Sequence, residues 1–434
     1  MILFGFYCLI LQIYATLRAS SFNKRKIFND PVYGFISIDD ELSFDIIEHK
    51  YFQRLRRIKQ LGLTHLVYPG ALHTRFQHSM GAMYLMNLII NSLKIKGHEI
   101  SDNEALGAIN AILLHDIGHG PFSHSLENTI LEGINHEFMS KLLMNKINQE
   151  FNGRLSTSIE IFDNKHPKIF LHQLVSSQLD VDRLDYLKRD SFYTGVSEGV
   201  VNTERIIKML TIANDQLAVE SKGIYSIEKF IISRRLMYWQ VYLHKTVIAA
   251  ETLLIQILKR AKFLARNGFD LFATDSLLFF LYNQFSAEDL KNDDGILDKF
   301  TDLDDFDIFT SIKEWRKSSD KVLSFLSNSL VNRQLFKIEL SNNPFSEEYI
   351  NQIKDKINSE FGFSDTESQY LFAMDTTENY AYHPKSDKIN ILYKSGEVID
   401  IASASDQLNF SVLHKNITKH FICYPKSIES LDKS

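Results

Sequence analysis

The sequence predicts a mainly α-helical protein that closes in a smaller α+β module, and three observations carry that prediction. Apolar residues recur at spacings of three to five along most of the chain up to about residue 325, the period of helices with one buried face. Only 7 prolines and 18 glycines occur in 434 residues, which favours long helices over loop-rich β structure. Beyond Phe336 the texture changes to short stretches that alternate or carry β-branched residues, as strands do. A chain of this length exceeds one ordinary domain, and 44% hydrophobic with 24% charged residues suits a soluble globular protein with a large core. The expected division is an apolar segment over 1–22, a helical core over 23–325 and the α+β module over 326–434.

Taken in order, Met1 to Leu17 carries no charge, and it lacks both a basic residue before the apolar run and a clear small-residue cleavage site. It is read as a start placed too far upstream, with a short membrane anchor as the alternative. Cys8 and Cys423 stand far apart without Cys-x-x-Cys spacing, which fits a reducing, cytoplasmic compartment. Asn29, Asp30 and Pro31 interrupt an apolar run and predict a short extended arm and a loop. Ile46, Ile47, Phe52, Leu55 and Ile58 then mark an amphipathic helix ending near Gly62. Its basic residues Arg54, Arg56, Arg57 and Lys59 either form a solvated face or meet phosphates. The net charge of -6 speaks against a sequence-independent nucleic-acid binder.

The spacing from His78 to Leu93 predicts a packed helix, and the next is expected over Glu104 to Ile117, capped by Asp102 and ended by Gly118 to Pro121. A further helix carries Gln178 to Asp190. On it Asp182, Tyr186 and Asp190 are four and eight residues apart and share a face, while Leu179, Val181, Leu184 and Leu187 leave little room for a wholly wet surface. Some of these carboxylates are therefore expected to be buried, and buried carboxylates need partners. Helical periodicity continues through Ile227 to Phe263. Ser286 to Asp307 holds nine acidic residues and reads as a surface excursion near a boundary. In the last stretch Lys337–Leu340, Lys388–Tyr393 and Val398–Ile401 read as strands, with a helix near Glu347 to Phe361 between them.

The chemistry concentrates between His73 and His124. Of 15 histidines, 8 lie between His65 and His136, and the stretch from His115 to His124 holds a His-Asp pair among them. A single histidine on an apolar helix is more often a hydrogen-bonded core residue. Clustered imidazoles beside a carboxylate point instead to a divalent metal, because neutral rings donate lone pairs and the carboxylate supplies charge.

The order of motifs carries a resemblance. Phe28-Asn-Asp-Pro31, Phe52-Gln-Arg-Leu-Arg56, Lys59-Gln-Leu-Gly62, Pro69-Gly-Ala71, Arg75-Phe-Gln-His-Ser79, His115-Asp-Ile-Gly-His-Gly-Pro-Phe-Ser-His124, His136-Glu137 and Asp180-Val-Asp-Arg-Leu-Asp-Tyr186 follow one another over roughly residues 25 to 260. Over that span the chain resembles the HD-domain phosphohydrolases, a multi-helix fold. Within them it is similar to the deoxynucleoside triphosphate triphosphohydrolases, which include the human sterile-alpha-motif enzyme and bacterial relatives. The resemblance implies one divalent metal held by His78, His115, Asp116 and Asp182. Manganese or iron is favoured by such a donor set, zinc or nickel also suits it, and magnesium tolerates imidazole poorly. His136 and His119 are then implied as proton-transfer groups, with His136 as the leaving-group acid and His124 orienting them.

By the same carry-over Arg75, Arg183 and Arg234 hold phosphate oxygens, for which a planar guanidinium is well suited. Gln60, Leu61, Tyr186 and Asp190 form a pocket that packs closely at the 2′ carbon and takes the 3′-hydroxyl. Arg183 stands where the human enzyme has lysine, and Tyr238 and Leu243 where it has His and Gln, so base contacts differ. Lys26, Asn29, Glu48, Gln53 and Arg56 match the positions that bind an activating nucleotide between subunits, although Glu48 is one methylene longer than the family's carboxylate. The implied partners are a nucleotide substrate, a nucleotide activator and further copies of the chain, with no membrane. Two alternatives stand beside this reading: an HD phosphohydrolase acting on guanosine tetraphosphate, a cyclic dinucleotide or a nucleoside monophosphate, and a non-catalytic nucleotide sensor.

Overall fold

The computed structural model describes residues 26–123, 127, 129–379, 382, 388–406 and 417–428; the apolar segment over 1–22 and Cys8 lie outside them. The expected extended arm folds back on itself as an antiparallel hairpin of β1 (Lys26–Asp30) and β2 (Gly34–Ile38). Its turn is held by Asp30, whose Oδ1 accepts from the backbone N–H of Val32 at 2.9 Å and of Tyr33 at 3.0 Å. Ile36 and Ile38 anchor the hairpin in the core.

The single helix expected up to Gly62 is broken. Helices Glu41–Glu48 and Lys50–Gln53 are followed by a 3₁₀ turn, Arg54–Arg57. The break falls at His49, which is extended and whose own ring accepts from the Tyr51 N–H, so a side chain caps the backbone where periodicity predicted continuation. The basic residues here do not share one solvated face: Arg54 is buried, Lys59 is half-buried, and Arg56 and Arg57 are exposed. Arg54 is fully buried and donates to the carbonyls of Ile117 (2.9 Å) and His119 (2.6 Å); Arg57 pairs with Asp304; the Arg56 guanidinium lies 3.5 Å from the Phe76 ring centre.

Four helices frame the site: α1 (Arg75–Ile95), α2 (Asp102–Leu114), α3 (His136–Glu150) and α4 (Val181–Thr194). Helix α1 is buried on nearly every side and packs against both α2 and α4. The cap of α2 is Ser101, not Asp102, because the Ser101–Glu104 pair closes a reciprocal capping box while Asp102 points outward. Helix α2 ends three residues earlier than expected, so His115 and Asp116 sit in the turn that follows it. Helix α4 starts at Val181, with Asp180 accepting from the Arg183 N–H at 2.7 Å. Gly81 allows α1 and α4 to approach: a Cβ there would lie 2.1 Å from both Arg189 and Asp185.

Strands β3 (Leu210–Ala213) and β4 (Gln216–Glu220) precede α5 (Ile224–Met237), a π turn at Tyr238–Tyr242 and α6 (Lys245–Arg266), so the long helical run breaks at His244. The acidic stretch is not a surface excursion throughout. Asp304 and Asp305, at the start of α7 (Asp305–Trp315), are buried, and Asp305 accepts from the Lys59 N–H (3.0 Å) and the Phe122 N–H (3.3 Å). Beyond it lie β5 (Lys337–Ser341), the expected helix Glu347–Phe361, β6 (Ala373–Asn379), β7 (Asn390–Leu392), β8 (Val398–Asp400) and β9 (Ile417–Tyr424). One sheet runs β5-β9-β6, and β6 and β9 were not anticipated. The other runs β3-β4-β7-β8, so the C-terminal region completes a sheet begun in the helical core. Among the described residues no single helix is long and apolar enough to cross a membrane.

Candidate metal centre and active site

Three segments bring the implied ligands together. His78 comes from the first turn of α1, His115 and Asp116 from the turn after α2, and Asp182 from the first turn of α4. Donor atoms of His78, His115 and Asp116 lie within 4.8 Å of one another. Asp182 Oδ1 is 3.1 Å from His78 Nε2 and 3.5 Å from His115 Nε2, and the two Nε2 atoms are 3.3 Å apart. Each ring is held from behind: His78 Nδ1 is 2.8 Å from Asp185 Oδ2, and His115 Nδ1 is 2.6 Å from the Ile112 carbonyl. With Nδ1–H given to those acceptors, both Nε2 lone pairs face one point beside two carboxylates. The residues fit a divalent cation, in the arrangement by which an outer acceptor orients a ligating histidine.

The electrostatics agree. Burial pulls the His78 imidazolium down, but its bonds to Asp182 and Asp185 reverse this and hold it up to about 10. Burial works to raise Asp116, yet the charges of His115 and Arg75 and a hydrogen bond from His119 hold it well below the usual carboxylate range; Asp182 is likewise depressed, by its bonds to His115 and His78. The surrounding carboxylates thus favour positive charge at the point between the two rings.

His119 and His136 stand beside that centre. Gly118 turns the chain so tightly against α3 that a Cβ would lie 2.1 Å from the Ser140 nitrogen and 2.3 Å from the His136 carbonyl. Ser140 Oγ staples the turn, accepting from the Gly118 N–H (2.9 Å) and donating to the His115 carbonyl (2.7 Å). The rings of His119 and His136 stack 3.9 Å apart, with His119 Nε2 3.1 Å from Asp116 Oδ1 and His136 Nδ1 2.7 Å from Glu127 Oε1. Burial, then the neighbouring Arg75, holds His119 well below the usual histidine range, so its ring is kept in the neutral form. His124 lies outside the described residues.

Arg75 Nη1 donates to Asp116 Oδ2 at 2.6 Å. Arg75 Nε and Gln60 Oε1 are buried with no hydrogen-bond partner among the described residues. Gln60 is set there by pairing of the 58–60 segment with 73–75, through Gln60 N–H to the His73 carbonyl (2.9 Å) and Arg75 N–H to the Ile58 carbonyl (3.0 Å). Arg183 pairs with Asp180, which burial raises to about 6, and Arg234 reaches the Gln178 carbonyl and side chain at 3.3 and 3.0 Å. Leu61 packs on the core. Tyr186 and Tyr242 meet edge to face at 6.0 Å, and burial raises both phenols well above 10. Asp190 is engaged at both oxygens, by His73 Nε2 and by the Tyr242 hydroxyl, each at 2.7 Å.

The HD domain profile matches residues 75–190, from the first residue of α1 to this last carboxylate, and an HD associated region follows at 201–268. A solved phosphohydrolase from Bacteroides thetaiotaomicron is 54% identical, with a TM-score of 0.89 over 92% of this chain and 99% of that one. The chain belongs to the HD-domain phosphohydrolases. The uncharacterized protein YwfO of Bacillus subtilis is 32% identical over 94% of this chain and 93% of its own length. The deoxynucleoside triphosphate triphosphohydrolase SAMHD1 homolog of Dictyostelium discoideum is 35% identical over 52% of this chain and 47% of its own.

This HD-domain site also contains residues that sequence reasoning missed. Asp185, Arg189, Asp30 and Tyr242 hold the ligands or the pocket, and only the expectation that buried carboxylates need partners pointed toward them; His73, at the edge of the histidine cluster, had no role assigned and holds Asp190. Tyr242 reaches Asp190 from the π turn, a register that helical spacing does not encode. The five residues expected to bind an activating nucleotide lie as follows: Lys26 pairs with Glu48, Gln53 accepts from Arg56 at 2.9 Å and donates to the Ile47 carbonyl at 2.6 Å, and Asn29 is exposed on β1.

Proposed function

We propose that this HD-domain phosphohydrolase cleaves deoxynucleoside triphosphates to deoxynucleoside and inorganic triphosphate. The observation that carries this reading is the line of Asp182, Tyr186 and Asp190 along one face of α4, spanning about 12 Å at 1.5 Å per residue. That distance suits an α-phosphate at the metal end and a sugar hydroxyl at the other. The unpartnered Gln60 Oε1 and Arg75 Nε supply a further acceptor and donor beside it, and relatives named for this activity share the HD-domain half of the chain.

A bound divalent cation supplies Lewis acidity at phosphate and makes water a usable nucleophile near neutral pH. Arg75, Arg183 and Arg234 neutralise the phosphate oxygens. Attack of water on the α-phosphorus breaks its bond to the sugar 5′ oxygen, and His136, stacked on neutral His119, gives the leaving oxygen its proton. Tyr186 and Leu61 exclude a 2′-hydroxyl by packing, while Asp190, already holding His73 and Tyr242, accepts from the 3′-hydroxyl with its remaining lone pairs. We place the protein in the cytoplasm as a homo-oligomer with a nucleotide activator at Lys26, Asn29, Glu48, Gln53 and Arg56. Light scattering across protein concentration, with and without nucleotide, tests that assembly.

The decisive experiment is chromatography of the products of manganese-loaded protein, which separates triphosphate from diphosphate and phosphate. Comparison of kcat/KM for deoxy and ribo substrates follows in wild type, Tyr186→Phe and Asp190→Asn. Intact triphosphate and a deoxy preference that collapses in a variant are expected. Release of phosphate alone, or a preference unchanged in both variants, overturns the assignment.

A further inference from the structure

The helix that presents Asp182 also carries an arginine with no place in the reaction. Arg189 is fully buried, and a guanidinium removed from water needs carboxylate partners on every side it presents. Its Nε and Nη2 donate to Asp185 at 2.9 and 3.1 Å, and its Nη1 donates to Asp30 Oδ2 at 2.7 Å. Asp30 is the residue whose other oxygen holds the β1–β2 turn. From the same turn the Tyr33 ring lies 5.5 Å from the Arg189 guanidinium. A continuous buried chain therefore runs from the turn of the N-terminal hairpin, through Arg189 and Asp185, to His78.

One atom makes this chain more than a structural ion pair. Asp185 Oδ2 is the acceptor for Arg189 Nε and also the atom 2.8 Å from His78 Nδ1. A rotation of Asp185 that follows a displaced guanidinium carries away the acceptor that aims the His78 ring. The space is closed as well, since Arg189 and Asp185 occupy the volume a side chain at Gly81 would need. Closely packed groups of this kind shift together.

We propose that Asp30 and Arg189 are positioning residues for the metal centre: the hairpin turn, acting through Asp185, sets the direction in which His78 presents Nε2. The proposal rests on the metal reading of the His78, His115, Asp116 and Asp182 cluster. It gives the hairpin a task in metal retention that is independent of any nucleotide bound to it.

The test is Mn²⁺ titration of the metal-free full-length protein, followed by the electron paramagnetic resonance signal of free Mn²⁺. Asp30→Asn keeps the oxygen that caps the turn and replaces Oδ2 with an amide nitrogen facing the guanidinium. Loss of an outer partner of a ligating histidine typically weakens binding about 10- to 100-fold. Asp30 stands two hydrogen bonds further out, beyond Asp185 and Arg189, so a smaller rise of roughly 5- to 20-fold in the Mn²⁺ dissociation constant is expected, with native circular dichroism. Pro31→Ala changes a neighbouring turn residue while keeping both Asp30 oxygens and their bonds, and leaves Mn²⁺ binding unchanged. Should Asp30→Asn fail to fold, Asp30→Ser decides, because its hydroxyl can cap the turn and lacks the second oxygen. A folded Asp30 variant that binds Mn²⁺ like wild type overturns the relay alone, as does a Pro31→Ala protein that loses as much affinity. Wild type without a Mn²⁺ site overturns the metal reading and the relay with it.

Discussion

The two histidine pairs at the heart of the molecule differ in how their rings face. His78 and His115 cross at 70° with centres 5.2 Å apart, whereas His119 and His136 lie nearly parallel, at 14° and 3.9 Å. An imidazole lone pair lies in the plane of its ring. Crossed rings can aim two lone pairs at one point; stacked rings send theirs along parallel planes and cannot share an ion at bonding distance. His119, Glu127 and His136 bring their donor atoms as close together as the first group does, so proximity alone does not define a metal site. Charge divides the pairs in the same way. Acidic contacts hold the His78 proton on, while burial and Arg75 strip it from His119.

The largest effect expected from this division is at Asp182. Asp182→Ala removes a ligand, should lower metal affinity by more than roughly 100-fold, and should abolish hydrolysis, as read by metal content per chain and product release. Full metal content in that variant breaks the assignment of the first pair. His136→Ala should keep its metal and lose about 10²- to 10⁴-fold in kcat, the usual contribution of a positioned proton donor. Loss of metal in His136→Ala would join the two pairs into one site.

The most gradual effect is in pH. His78 in the metal-free protein is held up to about 10, so a cation must displace a proton throughout the neutral range. Mn²⁺ affinity is therefore expected to rise with pH between 6.5 and 9, approaching tenfold per unit for one proton released. The sign for folding is opposite. Because the folded value lies above the ordinary histidine value of 6.5, the stabilisation from this proton is complete below 6.5 and is lost as pH rises toward 10. Melting of the metal-free protein across that range checks this, and a pH-independent affinity would remove the contrast with His119.

Much of the site was legible because its parts are local. The His115–Asp116 pair and the Asp182, Tyr186, Asp190 spacing are written within single segments, and helical geometry alone puts the last three on one face. What escaped depends on side chains that override periodicity or on distant pairing. His49 breaks a helix by capping it with its own ring. Ser101 displaces Asp102 as a cap because Glu104 answers it. Asp304 and Asp305 read as solvated until Arg57 and Lys59 are brought to them, and Asp30 and Arg189 meet only through the hairpin. Strand β6 is polar and largely exposed along its length, so burial left no alternation to read.

The sheet β3-β4-β7-β8 has a consequence for how the chain is made. Ala218 in β4 pairs in parallel with Asn390 in β7, so the HD associated region leaves the ribosome with one strand edge open and keeps it open until the last tenth of the polypeptide follows. Exposed edges recruit other strands, and pairing over so long a loop is slow. Synthesis that stalls before β7 therefore leaves the β4 edge unpaired, and nascent chains of this protein are exposed to aggregation there during that interval.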